Sequence, residues 1–391
     1  MSATQEKAFA LIDGWRDEMV AFWETLVNME SGSPHKEDVD KVAAFLRDRI
    51  DSFGGKASIL QYPEAGNSVA AVFGEGTDKA PVCFLGHFDT VFKHGTVAER
   101  PFTIKDGKAY GPGVLDMKGG VTIQIFAARA LKEAGFTDRQ IKIVLAGDEE
   151  SLHPKSDMED VFEANAKGSV AAFNFETGDI NNSLVVGRKG SYSYKMEVKG
   201  VSVHAGREPE KGRSAVRELC HKVIEIEALS DYNGGMTFNV GVMQGGFVRN
   251  AVPDYACAEI DVRIVKNSQL AYVEEKLTEI AAKTYIDGTT TTLSKGAGMA
   301  PMERLEGNDK LYELVKATAA KIGQEVSNPI VSGGASDSAY SVRAGVPTID
   351  QMGVKGQWNH SDREYGVVET LFERAKLAVA CVLALDDFKA K

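Results

Sequence analysis

Three apolar runs in this chain stop on charged or imidazole side chains: "APVCFLGHFD", "QIKIVLAGDEE" and "SVAAFNFETGD". Runs of this length, alternating with helical stretches such as "VTIQIFAARALKEAG", predict an α/β sheet that is largely parallel inside. In open sheets of that kind, ligands bind outside the carboxyl ends of the strands. His87 and Asp89 follow the first run, Asp148, Glu149 and Glu150 the second, and Glu176 the third. Residues i and i+2 of a strand share a face, so His87 and Asp89 point the same way. Asp116 sits in the glycine-rich turn "YGPGVLDMKGG" before a helix, and His360 in a loop after "TIDQMG".

Carboxylates brought together at one sheet end repel each other, and a buried charge needs a partner. No Lys or Arg pattern accompanies these residues, so divalent cations are the simplest solution. Histidine with Asp and Glu, and no thiolate, suits Zn²⁺, Mn²⁺ or Co²⁺. His87 is then a ligand, and Asp89 orients its ring through the other nitrogen. Taken singly, each residue also has an ordinary role. "DEE" reads as a solvated acidic turn, His360 as a surface or core histidine, and Asp116 as an acid at a helix N-terminus.

The texture changes after Val186. "GSYSYKMEVKGV", "MTFNVGVMQGG", "DYACAEIDVRIV" and "TTTTLSKGA" alternate as half-exposed strands do, and "SAVRELCHKVIEIEAL" and "SQLAYVEEKLTEIAAKT" read as helices. The order β-α-β-β-α-β is ferredoxin-like. The α/β texture returns near Ala300. The expected organisation is a discontinuous catalytic domain, residues 1–186 and 300–391, with an inserted domain at 187–299.

Composition narrows the class. With 43% apolar and 26% charged residues the chain is an ordinary globular mixture. A net charge of −11 offers no electrostatic footprint for nucleic acid. No apolar run approaches the ~18 residues of a membrane span. The N-terminal segment spaces Phe9, Leu11, Ile12, Trp15, Met19, Val20 and Trp23 between charges, which predicts an amphipathic helix rather than a secretory signal. Cys83, Cys220, Cys257 and Cys381 form no CxxC pair and are expected as buried free thiols in a cytoplasmic protein.

The segments "GHFDTVF", "YGPGVLDMKGG", "DEE", "FET", "KGVSVHAG", "FVRNAVPD", "EIDVR", "SGGASDSAY" and "NHSD" occur in the order found in M20 metallopeptidases. The chain resembles that family, and most of all its glutamate carboxypeptidase (carboxypeptidase G) branch, over residues 80 to 365. The resemblance implies a co-catalytic pair of zinc ions. One would be held by His87, Asp116 and Glu176, the other by Glu150, Asp116 and His360, with Asp116 bridging. It implies Glu149 as general base and Asp89 in support. His204 of the inserted lid would cross a homodimer interface to stabilise an oxyanion. Arg263 and Asn250, with the backbone at Gly333 and Gly334, would grasp the substrate. Competing roles stand beside these: a strand-end structural histidine for His204, an in-sheet ion pair to Asp261 or Glu259 for Arg263, and an ordinary loop for Gly333 and Gly334.

Three segments depart from the family pattern. "SLHPKS" follows "DEE" where a Gly-Ser stretch is common, "FETG" has no proline after the glutamate, and "GASDSA" replaces a Gly-Thr-Asp-Ala form. The metal ligands survive all three, so the departures bear on specificity rather than hydrolysis. The expected function is hydrolysis of an amide bond in a small peptide or N-acyl amino acid, with release of a C-terminal residue such as glutamate. An acetylornithine-type or succinyl-diaminopimelate-type deacylase, or a di/tripeptidase, is the alternative. A non-catalytic binding protein on this fold would have lost the base or a ligand.

Overall fold

The structure, a computed structural model, describes residues 1–389. The chain divides into two compact units. Residues Met1–Gly187, Arg304–Val331 and the chain from Ser336 onward form the first, and Arg188–Glu303 with Ser332–Ala335 form the second.

The first unit is built on β1 (Lys56–Leu60), β2 (Ser68–Phe73), β3 (Val82–His87), β4 (Ile141–Ala146), β5 (Ala171–Asn174) and the short strand Thr348–Ile349. They form one sheet in the order β1-β2-β4-β3-β5 and then Thr348–Ile349. β3 runs parallel to β4 and β5, and Thr348–Ile349 parallel to β5. β1 and β2 are antiparallel, and so are β2 and β4. The sheet is therefore mixed at one edge: the link from β1 to β2 is too short for the crossover a parallel pair needs. β3 is buried at every position, as an inner parallel strand must be.

The helix Gly119–Glu133 packs on β3 and β4 and against the helix Val368–Ala384. At Gly120 a Cβ would lie 1.8 Å from the Phe175 carbonyl oxygen, so only glycine lets this helix approach the strand leading to Glu176. The N-terminal segment forms two helices, Ala3–Gly14 and Arg16–Val27, rather than one, with the break at Trp15. A second, five-stranded sheet of two- and three-residue strands includes Lys355–Gln357 and Tyr365–Val367, which pair antiparallel and hold the His360 loop between them.

The second unit carries β6 (Gly190–Lys199), β7 (Thr237–Gly245), β8 (Tyr255–Ile264) and β9 (Thr290–Met299) in an antiparallel sheet of order β7-β8-β6-β9. Alternate residues of β6 and β8, among them Tyr194, Met196, Ile260 and Val262, pack with Leu219 and Leu277 of the helices Ala215–Glu227 and Gln269–Ala282 in a separate core. That is the period-two pattern read from the sequence.

Among the described residues no helix is long and apolar enough to cross a membrane. All four cysteines are free. Cys83, Cys257 and Cys381 are buried, but Cys220 is exposed on an amphipathic helix, contrary to the expectation that all are buried.

Candidate metal centre

β3 delivers His87 fully buried at its last position. Its Nε2 lies 3.2 Å from Asp116 Oδ1, 3.3 Å from Glu176 Oε1 and 3.9 Å from Glu149 Oε2. The other oxygen of Asp116 faces the second imidazole, with His360 Nε2 at 3.1 Å from Asp116 Oδ2 and 3.2 Å from Glu150 Oε2. Donor atoms of His87, Asp116 and Glu150 lie within 4.8 Å of one another, as do those of His87, Glu149 and Glu176. The structure thus brings His87, Asp116, Glu149, Glu150, Glu176 and His360 into one cluster.

Asp89 lies behind the cluster. His87 Nδ1 is 3.3 Å from its Oδ1 and 3.2 Å from its carbonyl oxygen. The same carboxylate accepts the backbone N–H groups of Glu149 and Glu150, at 3.2 and 3.0 Å, and the Ser33 hydroxyl at 2.6 Å. Asp89 therefore orients the ring of His87 and fixes the turn after β4 together. Asn359 donates to Asp116 Oδ2 at 3.0 Å. The Trp23 indole N–H donates to the Val114 carbonyl at 3.0 Å, which ties an N-terminal helix to the turn that presents Asp116.

Four carboxylates and two imidazoles in contact make an electrostatic problem. Burial pushes Glu150 up to about 7 and holds Glu149 well above the usual carboxylate range. Hydrogen bonds that its ring donates to Asp116 and Glu150 push His360 up to about 11. Burial works against a charge on His87, but Glu149, Asp116, Asp89 and Glu176 outweigh it. Two imidazoles thus face four buried acids, and Glu150 Oε1 is buried without a hydrogen-bond partner among the described residues. Divalent cations resolve both features, and a thiolate-free His/Asp/Glu donor set suits Zn²⁺, Mn²⁺ or Co²⁺. The residues present fit such a group.

The remaining sequence candidates lie in the second unit. His204 is exposed, bridges Ala251 through its backbone, and its Nδ1 accepts the Gly206 N–H at 3.1 Å. The next residue, Ala205, donates its N–H to the Asn250 carbonyl at 2.9 Å, so His204 and Asn250 are neighbours. Arg263 is half-exposed and its Nε donates to Asp261 Oδ2 at 2.9 Å, the in-sheet partner weighed from the sequence. Its face of β8 continues into a cavity of about 540 Å³ lined by Glu259, Asp261, Lys195 and Lys295. A Cβ at Gly333 would meet open space, whereas one at Gly334 would lie 3.8 Å from the Arg188 guanidinium, and the Gly334 carbonyl accepts from Arg188 at 3.3 Å.

Sequence reasoning missed two buried groups. Glu364 accepts three backbone N–H groups around Asp116, from Gly113 at 3.1 Å, Leu115 at 2.8 Å and Asp116 itself at 3.0 Å. The signal available was its place four residues after His360. His153 is buried between two aspartates. Its signal was that it falls where the chain departs from the family's Gly-Ser stretch.

Residues 186–289 match the family described as the peptidase dimerisation domain, M20_dimer. The chain is 28% identical over 370 residues to carboxypeptidase G2 of Pseudomonas sp. (strain RS-16), covering 93% of this chain and 88% of that protein. It is 26% identical over 353 residues to the succinyl-diaminopimelate desuccinylase of Xanthobacter autotrophicus (strain ATCC BAA-1158 / Py2), covering 86% and 90%. The crystal structure of an M20 family metallo-carboxypeptidase from Sulfolobus solfataricus superposes with a TM-score of 0.78 at 18% identity, covering 95% of this chain and all of that one, 100%. The fold is the M20 peptidase fold, an α/β catalytic domain with a dimerisation domain. The matches support placement among the M20 peptidases and indicate a hydrolase.

Proposed function

We propose that the protein is a two-metal amide hydrolase acting on a small peptide or N-acyl amino acid, and that it releases a C-terminal amino acid such as glutamate. One observation carries the reading: the two oxygens of Asp116 face different imidazoles, His87 at 3.2 Å and His360 at 3.1 Å. A carboxylate so placed serves two ions. His87, Asp116 and Glu176 would hold one, and Asp116, Glu150 and His360 the other, with zinc the best fit to the donors. When bound, such a pair acidifies a water and polarises a carbonyl.

Glu149 lies beside this set without a place in either. Its carboxylate would take a proton at Oε2 and hand it to the leaving amine nitrogen. Asp89 holds the ring of His87 and the backbone of Glu149 and Glu150. His204, Asn250 and Arg263 would meet the substrate's oxyanion and carboxylate, with His204 acting across a homodimer formed by the second unit. The match to the peptidase dimerisation domain supports that assembly. The similarity to carboxypeptidase G2 supports C-terminal release. Similarity to a desuccinylase supports a deacylase as second reading. Free cysteines are compatible with the cytoplasm.

The test is elemental analysis followed by a hydrolysis screen of Zn²⁺-, Mn²⁺- and Co²⁺-loaded protein on dipeptides and N-acyl amino acids. The expectation is about two ions per chain, chelator-sensitive activity, and a fall in kcat of at least ~10²-fold in Glu149→Gln with metal retained. No metal above background after reconstitution sinks the reading.

A further inference from the structure

The turn that carries Glu149 is held from behind by His153. Leu152 and His153 both have left-handed backbone, with φ of 63° and 51°, a conformation that residues other than glycine adopt only where their surroundings enforce it. His153 is 5% exposed as a residue, and its ring is fully buried. Its Nδ1 lies 2.8 Å from Asp148 Oδ1 and its Nε2 2.7 Å from Asp337 Oδ1. A ring with a carboxylate oxygen at each nitrogen satisfies both contacts as an imidazolium donating twice. Phe162 and Tyr340 flank it, each with its ring centroid at 6.2 Å. Burial opposes the positive charge, but Asp337 and Asp148 more than offset it.

The backbone closes around the same point. His153 donates its N–H to the Asp148 carbonyl at 3.2 Å, and Leu152 to the Glu149 carbonyl at 2.7 Å. Glu149 and Glu150 lie inside this turn, and their own N–H groups reach forward to Asp89. Asp337 is a firm anchor, because the neighbouring hydroxyls of Ser336 and Ser338 both grip Asp350 Oδ2, at 2.6 and 2.7 Å. Asp337 is also close enough to Glu149 for its charge to act on that carboxyl. Asp89 in front and His153 behind thus hold one turn of chain.

We infer that His153, clamped between Asp148 and Asp337, is a positioning residue that sets the orientation of Glu149 for proton transfer. The inference rests on the reading of Glu149 as general base.

The test compares His153→Ala and His153→Gln, each alone and combined with Glu149→Gln, in zinc-loaded protein with N-benzoyl-glutamate as the probe. His153→Gln keeps a single amide donor and guards against an alanine variant that does not fold. Expected is a kcat lowered about 10- to 10²-fold, the scale of a misplaced catalytic group, with KM and zinc content within about twofold of wild type. In the Glu149→Gln background the same change should cost nothing further, because the residue through which it acts is gone. An equal loss in both backgrounds, or loss of zinc, overturns the inference and leaves His153 a purely structural group. Hydrogen exchange supplies a readout that needs no substrate. Amides of 148–153 and 336–338 should exchange at least ~10-fold faster in His153→Gln while those of β3 are unchanged, and unchanged exchange in both segments overturns the clamp. The base reading fails separately, if Glu149→Gln hydrolyses the probe at the wild-type rate.

Discussion

Glu364 Oε1 accepts the backbone N–H of Asp116 at 3.0 Å, although 248 residues separate the two. The same carboxylate takes the N–H groups of Leu115 and Gly113, so three donors of one irregular turn end on one buried acid. Burial pushes its pKa up to about 7, against the pull of those donors. The loop that presents His360 thereby also fixes the backbone of the carboxylate shared by both imidazoles.

Replacing Glu364 with Gln keeps the shape but turns an amide NH₂ toward a backbone donor. Zinc affinity should weaken about 10- to 100-fold, as for other groups that orient a metal ligand. Competition with a chromophoric chelator measures it. Wild-type affinity in the variant would make Glu364 a support of the fold alone.

The candidate ligands should separate by stoichiometry. Asp116→Ala should lose both ions, because each imidazole faces one of its oxygens. Glu176→Ala and Glu150→Ala should each lose one, because Glu176 meets His87 and Glu150 meets His360. Elemental analysis after dialysis decides this. Retention of both ions by Asp116→Ala would remove the bridge.

Arg263 now spends its Nε on Asp261. If its guanidinium forks a substrate carboxylate, Arg263→Lys should lower kcat/KM by about 10²-fold, since lysine keeps the charge and loses the planar fork. The loss should vanish for substrates with an amidated C-terminus. Equal cleavage of free-acid and amidated substrates by the wild type would return Arg263 to its ion pair.

β7 is an edge strand of the second unit's sheet and exposes Val242 and Met243, while Ile224 stands 70% exposed on a helix of the same unit. An open, apolar edge is a template for pairing with another chain. Ile224→Glu with Met243→Lys should shift the protein from dimer to monomer in light scattering. A wild-type protein that is already monomeric would refute the assembly.

The strand ends were readable because β3, β4 and β5 are short apolar runs that stop abruptly, and the sheet puts their termini side by side. His87, Glu149, Glu150 and Glu176 therefore fell into place from pattern and resemblance. His360 was placed by its loop after "TIDQMG" and by the "NHSD" resemblance, since that loop hangs between strands of three residues that carry no periodicity. Glu364 left no pattern because its partners are backbone N–H groups, which every sequence has. The clamp on His153 was not legible because its ring partners lie 5 and 184 residues away, and only folding brings them to one ring. The antiparallel hairpin β1–β2 escaped a texture-based reading because alternation does not state strand direction.

The division of the chain also sets an order of synthesis. Every strand of the second unit's sheet lies before residue 300, so that sheet is complete while the first unit still lacks Thr348–Ile349 and the helix Val368–Ala384. Domains tend to fold as units while the chain emerges. The nascent protein would thus carry a finished insert between two halves of an unfinished host. His87, Asp116, Glu150 and Glu176 would all be made before His360, which joins them later. A chain stalled on the ribosome before residue 360 should hold the acids of the cluster without the imidazole that faces Asp116 Oδ2 and Glu150.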